Sequence, residues 1–253
     1  MPTFSSALIS GASAGIGQAV ALALARPGAC LHLSGRNAER LDAVAHACRD
    51  RGAEVLPRVL DVADRSAMEG WIAAAGRLDL VIANAGIAAG IAGGAAERAD
   101  QTRAVFATNL DGVLNTVLPA MSAMRAQAPG PDGLRGRIAV IASIAAFLPI
   151  PGAPSYCATK AAIDTWMVAS APSARRDGIG LTSVCPGYVR TAMTAGNRRA
   201  MPGLMDADRA AALILRGIAA GKVRLTFPWW MGAAARFGGL LPPSLLGTVL
   251  RRT

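Results

Sequence analysis

Short apolar runs alternate with longer amphipathic stretches along most of the chain. A short run rich in Ala, Val, Leu and Ile predicts a buried strand, and apolar positions three and four apart predict a helix. The predicted strands are Ala7 to Ser10, Ala29 to Ser34, Glu54 to Leu60, Leu78 to Ala83, Arg137 to Ser143, Leu181 to Cys185 and Val223 to Phe227. The predicted helices are Gly17 to Arg26, Ala38 to Arg51, Arg65 to Ala75, Asp100 to Ala128, Ser155 to Ala174 and Asp206 to Ala220.

The repeated strand–helix order predicts an α/β fold. Strands separated by helix-length segments need crossover connections, which make them parallel and place helices on both faces of the sheet. We therefore predict a Rossmann-like, doubly wound and mainly parallel sheet of seven strands. No change of composition divides residues 1–228, so they are predicted to form one domain, followed by a hydrophobic C-terminal extension over residues 229–253.

Composition and charge narrow the class of protein. Hydrophobic residues make up 53% of the 253 positions and charged residues 17%, which excludes a disordered chain. The net charge of +10 comes almost wholly from scattered arginines, so no nucleic-acid partner is predicted. An affinity for anionic cofactors or membrane lipids stays open.

Cysteine spacing and the N-terminus bear on metals and location. The four cysteines lie far apart and lack metal-ligand spacing, so no metal site is predicted and reduced thiols indicate a cytoplasmic protein. The N-terminus lacks a basic segment followed by an apolar run, so no signal peptide is predicted. No stretch suits a transmembrane helix.

The segment ALISGASAGIG predicts a nucleotide site. It places a strand before Gly11, Gly15 and Gly17 and an Ala-rich helix after them. Glycines permit a tight turn and close approach of the backbone to a ligand, and the helix N-terminus offers free N–H groups to a pyrophosphate. An ordinary strand-to-helix turn is the alternative.

Several motifs in a fixed order along residues 5–228 resemble those of the short-chain dehydrogenases/reductases. They are GASAGIG at 11–17, Asp61-Val62, Asn84-Ala85-Gly86, Asn109 in FATNLDG, Ser143, Tyr156 with Lys160, and Pro186-Gly187 with Thr191. Because the chain has two tyrosines and two lysines, Y-x-x-x-K alone would arise by chance about once or twice in a hundred such chains. The resemblance implies an NAD(P)-dependent oxidoreductase acting on CH–OH or C=O groups.

The resemblance also implies four reacting residues, Asn109, Ser143, Tyr156 and Lys160. Tyr156 and Lys160 lie four positions apart, so their side chains share one helical face. The ammonium and an oxidised nicotinamide would lower the pKa of Tyr156, which suits it as general acid/base. Ser143 would hydrogen-bond the same substrate oxygen. Lys160 would bind the nicotinamide ribose, and Asn109 would hold a water linking the lysine to solvent.

Each of these residues has a purely structural alternative. Asp164, four positions after Lys160, could pair with it as an ordinary helix salt bridge. Ser143 could cap the following segment, and Asn109 could bend or cap a helix.

The segment LHLSGRN decides which nicotinamide cofactor is predicted. The family's NAD enzymes carry an acid where this chain has Gly35, and Arg36 follows. A guanidinium suits a 2′-phosphate, so we predict NADP(H), with a hydroxyl contact from Ser13; a solvated helix cap is the alternative for Arg36. The other cofactor contacts that the resemblance implies are Ile16 in the glycine turn, Asp61 and Val62 at the adenine, Asn84, Ala85 and Gly86 near the adenosine ribose, and Val189 and Thr191 at the carboxamide.

Three loops are expected to surround the substrate, at 87–96, 144–153 and 188–205. The first two are almost wholly apolar, which favours a small hydrophobic ketone or alcohol. Arginines in the third loop, Arg190, Arg198 and Arg199, could approach an acidic carrier, so a 3-oxoacyl thioester reductase is an alternative. A silent NADPH-binding sensor is an alternative of another class, for which a broken reacting set would be expected.

Two features depart from the family's pattern. Pro172 lies in the helix after Lys160 and predicts a kink or an end there; relatives commonly pair through this helix, so a homodimer is predicted. The C-terminal extension replaces a short ending that helps relatives form tetramers, and it could cover the substrate, touch a membrane surface or pack on its own domain. Its notable residues are Trp229, Trp230, Met231, Arg236, Phe237, Leu240, Leu241, Leu245, Leu246, Arg251 and Arg252.

Overall fold

Strands and helices alternate through the computed structural model, which describes residues 4–88, 96–195, 200–242 and 245. The strands are β1 Ser6–Ser10, β2 Cys30–Gly35, β3 Glu54–Val59, β4 Leu80–Ala83, β5 Gly136–Ile141, β6 Ile179–Pro186, β7 Val189–Arg190, β8 Met205–Asp206 and β9 Arg224–Phe227. The helices are α1 Gly15–Leu24, α2 Ala38–Arg49, α3 Arg65–Ala73, α4 Ala99–Phe106, α5 Gly112–Ala126, α6 Pro154–Arg176, α7 Ala192–Ala195, α8 Ala207–Ala219 and α9 Trp229–Gly239.

Seven strands form one parallel sheet in the order β3-β2-β1-β4-β5-β6-β9. From β1 the next two strands, β2 and β3, are added on one side, and from β4 the later strands are added on the other side. The direction of strand order therefore reverses between β1 and β4. In such sheets a ligand crevice opens at the carboxyl ends of the strands beside the reversal. The predicted seven-stranded, doubly wound sheet is confirmed.

The core lies on both faces of this sheet. Successive residues of a strand point to opposite faces, and on β1 the fully buried Leu8 and Ile9 belong to different apolar clusters. The cluster around Ile9 includes residues of α1, α2 and α8, and the cluster around Leu8 includes residues of α3, α5 and α6. Helices therefore cover both faces, as predicted.

The helix predicted over Asp100 to Ala128 is not continuous. A π-helical turn, Ala107–Asp111, separates α4 from α5 and contains Asn109. The widened turn lets the Asn109 side chain face the backbone of Ile87, to which it makes two hydrogen bonds of 2.8 Å. Such bulges are often found at functional sites, and this one lies next to the loop that follows β4.

Helix α6 does not end at Pro172 but continues to Arg176. A proline removes the backbone donor that would bond the carbonyl four residues earlier, here that of Val168. Pro172 is exposed and Val168 half-buried. Because this carbonyl belongs to a residue that water can reach, the helix tolerates the lost bond.

The described part of the C-terminal extension forms α9 and packs on its own domain. Met231, Gly232 and Ala235 are buried, while Trp229 and Phe237 on its outer side are 77% and 72% exposed. Leu246, Arg251 and Arg252 lie outside the described residues. Within the described ranges, no helix combines the length and the apolar character needed to cross a bilayer.

Candidate active site

The glycine turn after β1 brings the backbone unusually close to its neighbours. Gly11 and Gly15 have φ of 66° and 59°, which favours glycine because side chains strain this conformation. A Cβ on Gly17 would lie 2.4 Å from the Gly11 carbonyl oxygen and 2.5 Å from Nδ2 of Asn84. Asn84 at the end of β4 donates to the carbonyls of Ser10 and Gly11 at 3.1 and 2.9 Å, which braces the turn.

This turn forms one wall of a cavity of about 480 Å³ at the carboxyl ends of the strands. The cavity brings together nearly all of the predicted site residues, which come from the segments that follow the six strands β1 to β6. They are Gly11, Ser13, Gly15, Ile16, Arg36, Asp61, Val62, Asn84, Ala85, Gly86, Ser143, Tyr156, Lys160, Val189 and Thr191. Gly17 and Asn109 do not line the cavity but contact two residues that do, Asn84 and Ile87. A backbone cradle, a helix N-terminus and a basic end fit the pyrophosphate and ribose of a nicotinamide dinucleotide.

The basic end of the cavity lies at the turn after β2. Arg36 lies 3.6 Å from Oδ2 of Asp61, and both side chains are largely exposed, so this pair is weak. Arg40, in the first turn of α2, also lines the cavity. The sequence does not predict this, because Arg36 precedes the extended N-cap Asn37 and helical spacing therefore does not relate the two arginines. A Cβ on Gly35 would lie 2.9 Å from Oγ of Ser13, so a carboxylate side chain there would crowd this hydroxyl.

Tyr156 and Ser143 meet at the opposite end of the cavity. Tyr156 lies in the first turn of α6, and Ser143 follows β5, where its Oγ accepts from the N–H of Ala145 at 3.1 Å. Burial raises the pKa of Tyr156, and a hydrogen bond with Ser143 lowers it in part. Ser143 therefore caps the next turn and lies close enough to the phenol to influence its pKa.

Lys160 is buried beside Tyr156 and does not pair with Asp164. Its Nζ donates to the carbonyl of Ile141 at 2.7 Å and lies 5.6 Å from the centroid of the Tyr156 ring. Burial lowers the pKa of Lys160 to about 8. Asp164 instead accepts two hydrogen bonds from Arg224, at 2.6 and 2.9 Å. The alternative of a helix salt bridge between Lys160 and Asp164 is therefore wrong, because the two side chains face different strands.

Asn109 is fully buried and holds the loop that follows β4. Its Oδ1 accepts from the N–H of Ile87, and its Nδ2 donates to the Ile87 carbonyl and, at 3.4 Å, to Oγ1 of Thr159. A Cβ on Gly86 would lie 3.3 Å from this Oδ1 and 3.5 Å from Nζ of Lys160. Asn109 thus positions the loop beside the lysine; its water contact stays a prediction.

Two of the three expected substrate loops are described in part. Residues 89–95 and 196–199, including Arg198 and Arg199, lie outside the described residues. Arg190 forms an exposed ion pair with Asp206 at 3.0 Å. Elsewhere in the described ranges, no three His, Cys, Asp or Glu side chains converge as metal ligands would.

Comparison with known proteins gives a family match over most of the chain. The model of the family described as short chain dehydrogenase matches residues 5–202. A protein of Myxococcus xanthus (strain DK1622) named "Uncharacterized oxidoreductase" is 33% identical over 257 residues, covering 99% of this chain and 98% of that protein. The chain spans about a third of mycobacterial relatives named "Probable oxidoreductase EphD", which are 35% identical over 202 residues.

Other similar proteins have more specific names. One from Streptomyces violaceoruber, "Granaticin polyketide synthase putative ketoacyl reductase 1", is 35% identical over 203 residues, 78% of this chain and 72% of that protein. Levodione reductase matches with a TM-score of 0.79 and 26% identity, covering 90% of this chain and 98% of that one. A variant of actinorhodin polyketide ketoreductase, solved with NADPH, has a TM-score of 0.76 and 25% identity over 90% of this chain and 97% of its own.

Proposed function

We propose that this chain, which belongs to the short-chain dehydrogenase/reductase family, transfers hydride between NADP(H) and the carbonyl or alcohol carbon of an apolar substrate. Its class is that of NAD(P)-dependent oxidoreductases acting on CH–OH or C=O groups. The observation that carries the proposal is that Tyr156, Ser143 and Lys160 line the same cavity as the glycine turn.

The chemistry assigned to these residues is proton transfer at the substrate oxygen. A bound NADPH would supply the hydride. The Tyr156 phenol donates its proton to the carbonyl oxygen during reduction and removes the alcohol proton in the reverse direction. Ser143 donates a hydrogen bond to the same oxygen and stabilises the charge that develops there. Burial raises the pKa of Tyr156, and the Lys160 ammonium, 5.6 Å from the ring centroid, would oppose this by favouring the phenolate when the cofactor is bound.

The preference for NADP(H) rests on the basic end of the cavity. Arg36 and Arg40 both line it, and two guanidinium groups suit a 2′-phosphate. The close approach of Gly35 to Ser13 also disfavours the acid that would accept from a ribose hydroxyl. We expect a lower KM for NADPH than for NADH; a lower KM for NADH would overturn this part of the proposal.

A 3-oxoacyl thioester reductase is a second candidate. It is favoured by the similarity to the granaticin and actinorhodin proteins, whose names describe ketoacyl and polyketide ketoreductases. NADPH oxidation with a panel of apolar ketones, aldehydes and 3-oxoacyl thioesters discriminates between the two. Binding of NADPH without turnover of any panel member would instead favour the silent sensor.

The proposal includes a homodimer. It follows from the family resemblance, and a partner subunit could bury the exposed side chains of Phe106 on α4 and Leu118 on α5, which are 38% and 51% exposed. Light scattering of the purified chain should give twice the monomer mass, and a monomer mass would reject the dimer.

A further inference from the structure

Helix α9 contacts the segment that directly follows Ser143. A Cβ on Gly239 would lie 2.1 Å from the carbonyl oxygen of Phe147, and a Cβ on Gly238 would lie 3.1 Å from Cδ1 of Leu148. Glycine weakens a helix because it has the largest backbone entropy to lose. Gly239 is therefore explained by the close approach of the α9 backbone to the Phe147 carbonyl, and Gly238 by the close approach to the Leu148 side chain.

The beginning of α9 contacts the other side of the site. A Cβ on Gly187, after β6, would lie 3.0 Å from Sδ of Met231. A Cβ on Gly203, near the end of the third loop, would lie 3.1 Å from the Trp230 ring. The inner side of α9 thus bridges the two loops expected to flank the substrate.

Two arginines approach the ring of Phe147. The guanidinium carbon of Arg236 on α9 lies 4.2 Å from the ring centroid, and that of Arg224 on β9 lies 5.6 Å from it. Asp164 fixes Arg224 through two short bonds. Arg236 makes no ion pair with a described residue, and its one polar contact is with Oγ1 of Thr226 at 3.4 Å. Its main described contact is therefore the aromatic ring.

We infer that Arg236 is a positioning residue that holds Phe147, and with it the turn after Ser143, in the shape that receives the substrate carbonyl. This inference rests on the proposed function. A single 3₁₀ turn, Ile144–Ala146, joins Ser143 to Phe147, so a shift of the ring moves the serine hydroxyl and the apolar wall together. Neither Arg236 nor Phe147 lines the cofactor cavity, so NADPH binding is independent of their contact.

Three variants and one control test the inference by hydrogen exchange of segment 144–153. Arg236→Ala should speed amide exchange there by roughly two- to fivefold, the range of one cation–π contact at an exposed site, while segment 5–35 exchanges as in the wild type. Arg236→Lys keeps a cation at the ring and should restore slow exchange. Arg216→Ala removes an exposed arginine from α8 that bonds only to its own helix and should match the wild type. Phe147→Leu removes the ring from the other side and should repeat the effect of Arg236→Ala.

Kinetics provide the second measurement. With a carbonyl substrate that the wild type reduces, Arg236→Ala should raise the KM for that substrate roughly two- to fivefold and leave the KM for NADPH unchanged. Unchanged exchange of 144–153 in both Arg236→Ala and Phe147→Leu overturns the inference. A wild type that reduces no carbonyl overturns the proposed function instead, and the exchange result still decides the role of Arg236.

Discussion

The Nζ of Lys160 lies 2.7 Å from the carbonyl oxygen of Ile141, the last residue of β5. This bond joins α6, which carries Tyr156, to the strand whose end leads into Ser143. The separation of phenol and hydroxyl is therefore set by a contact between a buried helix residue and a buried strand rather than by a surface loop. Lys160 has a structural role in addition to its proposed electrostatic one.

Replacing Tyr156 with Phe should lower kcat by about a thousandfold, the usual range for loss of a general acid/base. The change removes one hydroxyl and keeps the ring, so the folded structure should persist. NADPH binding, followed by fluorescence titration, should stay within a few-fold of the wild type. Turnover near the wild-type rate would exclude the tyrosine from proton transfer.

Replacing Lys160 with Met should stabilise the cofactor-free protein at neutral pH while abolishing turnover. Burial lowers the pKa of Lys160 from 10.5 to about 8, which corresponds to a cost of about 3 kcal/mol for the buried ammonium. Losing the hydrogen bond to Ile141 costs about 1 kcal/mol, so we expect the free energy of unfolding, measured with urea, to rise by about 2 kcal/mol. Lys222→Met changes the only other lysine, which is exposed, and should shift stability by less than about 0.5 kcal/mol.

The gain from Lys160→Met should depend on pH. Between the folded pKa of about 8 and the higher unfolded value, the unfolded chain binds more protons than the folded one, so wild-type stability rises with pH. The advantage of the methionine variant should therefore shrink across this window. An advantage that stays constant would show that the ammonium is not the source of the cost.

Replacing Arg36 or Arg40 with Ala should raise the KM for NADPH roughly tenfold to a hundredfold, the range for a charge-assisted hydrogen bond to a phosphate. The KM for NADH should change little, because NADH lacks the phosphate. Arg216→Ala removes the same charge from a distant surface and serves as the control. Equal losses with both cofactors would assign the arginines to general electrostatic attraction.

Replacing Gly17 with Ala should destabilise the fold by about 1–3 kcal/mol, because the new methyl would overlap the Gly11 carbonyl and Asn84. Gly70 in α3 is the matched control: a Cβ there would meet no atom within 4 Å. Gly70→Ala should therefore stabilise by about 0.5–1 kcal/mol. Chemical denaturation measures the change in the free energy of unfolding of each variant. A change of the same sign in both variants would contradict the close approach at Gly17.

The sheet and the glycine turn after β1 could be predicted because their signals are local in sequence. Buried parallel strands form continuous apolar runs, and the glycines at 11, 15 and 17 mark the turn directly. The break at Asn109 could not be predicted, because the apolar spacing from 100 to 128 continues through it. Its cause is a contact with Ile87, which is distant in the sequence.

The missed contacts have the same origin. Spacing along α6 suggested a partner for Asp164 at Lys160, whereas the partner observed is Arg224, sixty residues away. The sequence does not predict α9, because WWMGAAARFGG contains three glycines and no polar capping residue at its start. Gly238 and Gly239 are explained by contact with the segment after Ser143, and Gly232 by contact with Thr226 on β9. The sequence alone does not reveal these contacts.

The docking of α9 has a consequence for the order in which the protein matures. Every residue assigned to the cofactor precedes α9 in the chain, and proteins are synthesised from the N-terminus. The dinucleotide pocket can therefore assemble on the ribosome before the helix that joins the two substrate loops has emerged. A nascent chain would acquire cofactor affinity first and substrate selectivity last. A chain truncated before α9 would therefore still bind NADPH but would reduce its substrate slowly.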